Sequence, residues 1–275
     1  TLEALLAALG VAIAVGHRTR LAAGVFAVGF AYVELIDAAL YLNHYWFVTL
    51  AAVALAIVPG PSNGTVPAVT VWALRAQLAV VYVFAGIAKL NADWLFEAQP
   101  MGIWLSARTD RPLVGPWLDE PIVAVAFSWA GALFDLTIVG WLLWRRSRPF
   151  AYVAVVVFHI ATAMLFQIGV FPWVMIALTP VFFAPDWPTQ MWGRITRQVP
   201  HPHETASAPH DPAGGRRLGR ATVLAMSLLV AANVVLPIRH YAADGNVRFN
   251  DDGYYLSWRV MLTERVGFVE YAVRD

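Results

Sequence analysis

The chain has 275 residues, 59% of them hydrophobic and only 13% charged, where an ordinary soluble domain carries roughly 25% charged residues. The net charge is +1 and no basic patch interleaved with aromatics is present, so no nucleic-acid partner is expected. The absence of cysteine excludes disulfides, thiolate metal sites and catalytic thiols.

The few charges separate long apolar runs, the pattern of a polytopic membrane protein. A span needs about 20 apolar residues at 1.5 Å each. Residues 2–16 read as a truncated first span, closed by the basic turn His17-Arg18-Thr19-Arg20. Residues 21–40 return and carry Glu34 and Asp37, spaced i, i+3 on one helix face. Tyr41, Leu42, Asn43 and His44 interrupt the apolar run, and residues 45–58 form a third segment that stops at Pro59-Gly60-Pro61. Residues 72–90 form a fourth, which delivers Lys89 at its end. Residues 91–120 are a long connection punctuated by Pro100, Pro112 and Pro116. Residues 121–144 form the fifth span, with Asp135 inside it, ended by Arg145-Arg146-Ser147-Arg148. Residues 150–167 form the sixth and hold His159. Residues 170–184 contain Pro172 and Pro180 and read as a broken or re-entrant segment. The polar, arginine-rich stretch 186–220 reads as a flexible loop, and residues 221–236 are the last apolar run.

The expected fold is therefore an all-α polytopic membrane bundle of about eight apolar segments, one of them broken, over residues 1–236. The remainder, 237–275, reads differently. Stretches 254–260 and 267–273 alternate with aromatics and valines at period two, which predicts β-strands and a short β-rich tail. The loops after the first, fifth and seventh segments are basic, and all three can lie on the cytoplasmic side. The Asn43/His44 turn, the Lys89 end, the 91–120 connection and the tail then face the extracytoplasmic side.

Lys89 is the only lysine; the other eighteen of the nineteen basic residues are arginine. Lysine can lose its proton when desolvated and act as a base, whereas arginine stays charged. Keeping a lysine neutral at pH 7 costs roughly 4.6 kcal/mol, and leaving it charged at mid-bilayer about 2.5–3.5 kcal/mol on insertion scales. The two are close, so two readings stand: a general base, or an ammonium that snorkels to the interface or pairs with Asp93 at i+4. His44 either satisfies a backbone carbonyl in its turn or performs chemistry; His159, inside an apolar span, either hydrogen-bonds structurally or lines a site. Asp135 sits deep and needs a partner or a wet niche. His201, His203 and His210 lie in a loop too loose to hold a metal, and no metal is expected. No nucleophile elbow, phosphate loop, zincin motif or glycine fingerprint is present.

Residues 84–94 (FAGIAKLNADW), the pair Asn43-His44, Phe134-Asp135-Leu136, Phe158-His159 through Gln167, Gly169, Phe171 and Met175 to Pro180, and Leu236-Pro237, His240 and Ser257-Trp258 run in one order along the chain. Together they resemble the vitamin K-dependent γ-glutamyl carboxylase family, including its bacterial HTTM-domain relatives. The departures are Asn91, where the family usually has aspartate, and Ala88, where a basic residue can precede the lysine. The resemblance implies an integral protein of a bacterial cytoplasmic membrane with its active site toward the extracytoplasmic side. It implies Lys89 and His44 as catalytic, Asn43, His159, Phe171 and Met175 as binding the quinone, and Asp93, His240 and Trp258 as binding substrate. The implied cofactor is vitamin K hydroquinone or a related reduced naphthoquinone, with oxygen and carbon dioxide as co-substrates and a glutamyl peptide or protein as partner. The implied reaction is γ-carboxylation of glutamyl residues coupled to quinol epoxidation. Quinol oxidation without carboxylation, or a non-catalytic quinone- or lipid-binding protein, are the rival readings.

Overall fold

The computed structural model describes residues 1–37, 41–58, 68–166, 168–184, 187–196, 219–242 and 254–259. Twelve α-helices follow one another in the described residues: α1 (Leu2–Ala14), α2 (Thr19–Ile36), α3 (Asn43–Ile57), α4 (Ala68–Ala88), α5 (Ala92–Leu95), α6 (Met101–Ser106), α7 (Gly115–Leu118), α8 (Pro121–Leu143), α9 (Arg148–Leu165), α10 (Phe171–Leu178), α11 (Trp187–Thr196) and α12 (Arg220–Val235). No strand occurs among the described residues.

Five helical stretches are long and apolar enough to cross a membrane: α2, α4, α8, α9 and Arg220–Ala242, which joins α12 to the 3-10 turn after it. Three shorter apolar helices, Leu2–Ala14, Asn43–Ile57 and Phe171–Phe182, accompany them. Beside an apolar core, several polar groups are buried and many large apolar side chains face outward. Glu34, Asn43, His44, Gln77, Lys89, Asp135, His159 and Asn233 are buried, while Val28, Leu35, Ile122, Phe150 and Val157 point outward. Polar groups turned inward and apolar ones outward suit a lipid surround, where an unpaired polar group has no water to turn to.

Helix α4 is the axis of the bundle: 44% of its span is buried, against 17–33% for the other four. It meets α8 closely because Gly86 has no side chain; a Cβ there would stand 2.8 Å from Leu136 Cγ and 3.0 Å from its backbone N. Arginines close several helix ends, where carbonyls lack an intrahelical partner. Arg148 donates to Leu142 O (2.7 Å) and Leu143 O (3.0 Å) at the end of α8. Arg108 donates to Leu165 O at the end of α9, and Arg75 to Val181 O and Phe182 O. A flat guanidinium fork satisfies these carbonyls better than a point ammonium would.

Four expectations change in detail. The third segment begins at Asn43, so Asn43 and His44 form the first turn of a helix rather than a break before one. The 91–120 connection is folded into α5, α6 and α7, which dock on α8; Trp94 Nε1 donates to Ser128 O and Trp129 Nε1 to Leu95 O, both at 2.8 Å. Residues 187–196 of the expected flexible loop form α11, with Met191 and Trp192 exposed. In the expected strand 254–260, residues 254–257 are turn and bend, and 258–259 are neither strand nor helix. Leu256 and Trp258 both have φ of 55°, outside the extended region, because Leu256 N donates to Tyr41 Oη (2.8 Å) and the Trp258 ring is drawn inward. The remaining expected strand residues, 267–273, and the His201/His203/His210 group lie outside the described residues. The broken segment 170–184 is α10 followed by a 3-10 turn, Thr179–Phe182, where Pro180 lacks the N–H that an α-helix needs.

Candidate active site

Helix α4 stops at Ala88, and the stop is built by Asn91. Its Nδ2 donates to Ala88 O and its Oδ1 accepts from Trp94 N, both at 3.0 Å, so one side chain closes α4 and caps α5. An aspartate could cap α5 but could not donate to Ala88, which gives the Asn91 departure a local physical role. The turn leaves Lys89 buried beside the last turn of α4, pointing at α8.

Lys89 Nζ donates to Asp135 Oδ2 at 2.8 Å and to Ala85 O at 3.2 Å, with the Trp94 ring centre at 5.2 Å. Both side chains of the ion pair are 8% exposed. The partner is thus 46 positions away on α8, not Asp93 at i+4; Asp93 lies exposed in the first turn of α5, where an anion suits the helix N-terminus.

The pair forms part of the wall of a cavity of about 200 Å³. Tyr82, Trp94, Phe158, His159, Phe166 and Phe171 line it together with aliphatic and small residues such as Met101, Gly131 and Leu165, so the lining is apolar, rich in aromatics and nearly without polar surface. Tyr82, Ala85 and Lys89 reach it from one face of α4 at spacing i, i+3, i+7. Phe134 and Phe158 stack at 3.9 Å between centroids beside it. The Tyr82 hydroxyl and His159 Nε2 are 3.0 Å apart, and His159 Nδ1 is buried with no hydrogen-bond partner among the described residues.

His44 sits one ring removed from the cavity. It packs on Phe171 at 5.6 Å between centroids, and Phe171 in turn packs on His159 at 5.8 Å. The His44 Nε2 is also buried without a partner among the described residues. Asn43 is held by the Tyr41 hydroxyl, which donates to its Oδ1 at 3.0 Å while accepting from Leu256 N. Burial pushes the ionisation of Tyr41 well above the usual phenol range, which keeps that hydroxyl a donor.

The expected site residues therefore separate into two sets. Lys89, His159 and Phe171 share the cavity, with His44 packed behind Phe171 and Asn43 next to His44 in the first turn of α3. Met175 is fully buried in the core beside the cavity rather than on its wall. Trp258 is a core residue, packed on Phe47 and donating from Nε1 to Asn233 Oδ1 at 2.9 Å, and Asn233 Nδ2 donates to Gln77. His240 caps its own turn through Pro237 O at 2.7 Å. Asp93, His240 and Trp258 do not line the cavity. Sequence reasoning did not place Trp94 or Asp135 in the site, although a lone carboxylate in an apolar span was the available signal for the latter.

Two family models match the chain. One, described as the HTTM domain, covers residues 2–187, and the other, described as the vitamin K-dependent gamma-carboxylase, lumenal domain, covers residues 218–275. No solved structure matches it.

Proposed function

The chain belongs to the HTTM/vitamin K-dependent γ-carboxylase family, and from that membership we propose that it carboxylates glutamyl γ-carbons at the expense of a reduced naphthoquinone bound beside Lys89. The observation that carries the reading is the Lys89–Asp135 pair set into the wall of an otherwise apolar, aromatic cavity. When bound, vitamin K hydroquinone supplies, through its reaction with dioxygen, a base strong enough to take a glutamyl γ-proton, after which the carbanion adds carbon dioxide.

The residues present fit such a ring. At about 200 Å³ the cavity is smaller than the roughly 300–1,000 Å³ usual for whole drug-sized ligands, which suits a fused ring whose tail leaves toward lipid. Phe158, Phe166, Phe171 and Trp94 enclose it and keep out the water that would quench a strong base. Lys89 Nζ receives the phenolic proton. His159, oriented by Tyr82, has a buried ring nitrogen that lacks a partner and can bond a ring oxygen. His44, held behind Phe171, backs that wall, and Asn43 beside it is held by Tyr41.

The orientation belongs to the same reading. Lys89, the α5–α7 cap and the start of α3 lie at one end of the helices, and Arg18, Arg145 and Arg146 at the other by connectivity. In this reading the basic loops lie inside and the cavity end lies outside a bacterial cytoplasmic membrane, and the match with a lumenal domain supports that orientation.

One observation favours a second reading, quinol oxidation to the epoxide without carboxylation. Among the described residues the one fixed cation on the cavity wall, Lys89, is already paired with Asp135, so a glutamyl carboxylate finds no spare arginine or lysine among them there. Purified protein incubated with reduced vitamin K, oxygen and labelled bicarbonate, with and without a glutamyl peptide, decides between them. Epoxide with peptide-bound label establishes the carboxylase, epoxide alone the second reading. Neither product refutes both and leaves a non-catalytic quinone- or lipid-binding protein.

A further inference from the structure

We propose that Lys89 and Asp135 work as one acid–base unit, in which Asp135 takes the proton that Lys89 gives up as it receives one from the phenol. The proposal rests on the quinol reading above and assigns Asp135 a role in it. In the structure the amine donates to Asp135 Oδ2 and to Ala85 O and lies beside the Trp94 ring. An amine so engaged as an ammonium has no free electron pair, so it must lose a proton to gain one. The Ala85 carbonyl is too weak a base to take it. The other titratable groups on the cavity wall, Tyr82 from α4 and His159 from α9, are bonded to each other. Asp135 from α8 is the base within hydrogen-bond reach among the described residues.

Charge counting favours the same path. At the start the site holds an ammonium, a carboxylate and a neutral phenol. A phenolic O–H bond breaks as an N–H bond forms on Lys89; a second N–H bond of Lys89 breaks as an O–H bond forms on Asp135. At the end the ammonium faces an ionised phenol and Asp135 is neutral. One ion pair and zero net charge persist throughout, and only the identity of the anion changes. A free amine beside an ionised Asp135 would instead end with two anions around one cation. Uncompensated charge of that kind is what a dry, aromatic cavity inside a membrane opposes most strongly.

The test is infrared difference spectroscopy on the purified full chain in lipid nanodiscs, without oxygen, so that nothing turns over. On adding a reduced naphthoquinone, the carbonyl stretch of a protonated carboxylic acid should appear together with the ultraviolet absorbance of the ionised phenol. The band should be displaced in Asp135→Glu and lost in Asp135→Asn, whose amide cannot take the proton, and ionisation should fall about tenfold or more. Unchanged binding of the oxidised quinone shows that each variant is folded; should Asp135→Asn not fold, the displaced band of Asp135→Glu carries the assignment. Ionised phenol without a carboxylic-acid band in the wild type overturns this proposal and leaves Lys89 acting alone. Full ionisation in a folded Asp135→Asn does the same. A wild type that binds the oxidised quinone but never ionises the reduced one refutes the quinol reading itself.

Discussion

Replacing Lys89 by methionine keeps the length of the side chain and removes the charge, leaving Asp135 without the cation that stood 2.8 Å away. At an effective dielectric of about 20 the attraction between unit charges at that distance is about 6 kcal/mol. The stability lost is smaller, because an abandoned carboxylate takes up a proton; breaking a buried pair on one side costs about 3–5 kcal/mol. For a chain of this size each kcal/mol moves the melting temperature by about 2–4 °C, so Lys89→Met should melt roughly 6–20 °C lower. Asp135→Leu should cost a comparable amount. The double variant Lys89→Met/Asp135→Leu buries no charge, and it should recover most of the stability or exceed the wild type by about 1–4 kcal/mol, yet show no quinol chemistry. Thermal unfolding followed by tryptophan fluorescence in detergent, treated as a double-mutant cycle, measures the coupling. Losses below about 1 kcal/mol in the single variants would match a solvent-exposed pair and refute the reasoning. So would strictly additive losses in the double variant.

Lys89→Arg keeps the charge and should melt close to wild type, but a guanidinium that holds its proton should leave quinol oxidation undetectable in an epoxide assay. Gly86→Ala forces a Cβ against Leu136, beside Asp135, and should cost about 1–3 kcal/mol with a parallel fall in epoxide formation. His44→Ala should lower turnover while the affinity for oxidised quinone, read by titration, stays the same; loss of expression with unchanged specific activity would make His44 structural. Cysteines placed at Arg18 and Arg146 should be shielded from an impermeant thiol reagent in intact cells, while one at Asp110 should react. Labelling at Arg146 together with Asp110 would contradict the orientation.

Composition and periodicity were enough to read the membrane character, because runs such as 121–144 are too long and too apolar for anything but a span. They also put Lys89 at the end of its helix, since the apolar run stops there. The family resemblance brought forward nine residues in three roles; of these Lys89, His159 and Phe171 line one cavity and His44 packs behind Phe171, while Met175, Asp93, His240 and Trp258 stand away from its wall. A period-two pattern, by contrast, misreads residues 254–259: it reports which side chains alternate, not that Tyr41 Oη and the Asn233 amide hold Leu256 and Trp258 in a turned-in backbone.

The partner of Lys89 was legible only in three dimensions. Periodicity tells which face of a helix is buried, but not which residue of another helix that face will meet. Between apolar helices in lipid, hydrophobicity favours no particular register; close packing and the few polar contacts decide it. Here Gly86 admits Leu136 against α4, and that contact sets Asp135 opposite Lys89 across 46 positions of chain. The sequence by itself therefore determined that a lone amine would be delivered to the end of an apolar helix. Tertiary structure decided that a carboxylate would be waiting for it in an apolar cavity, because the register of α4 on α8 depends on a contact that neither helix encodes alone.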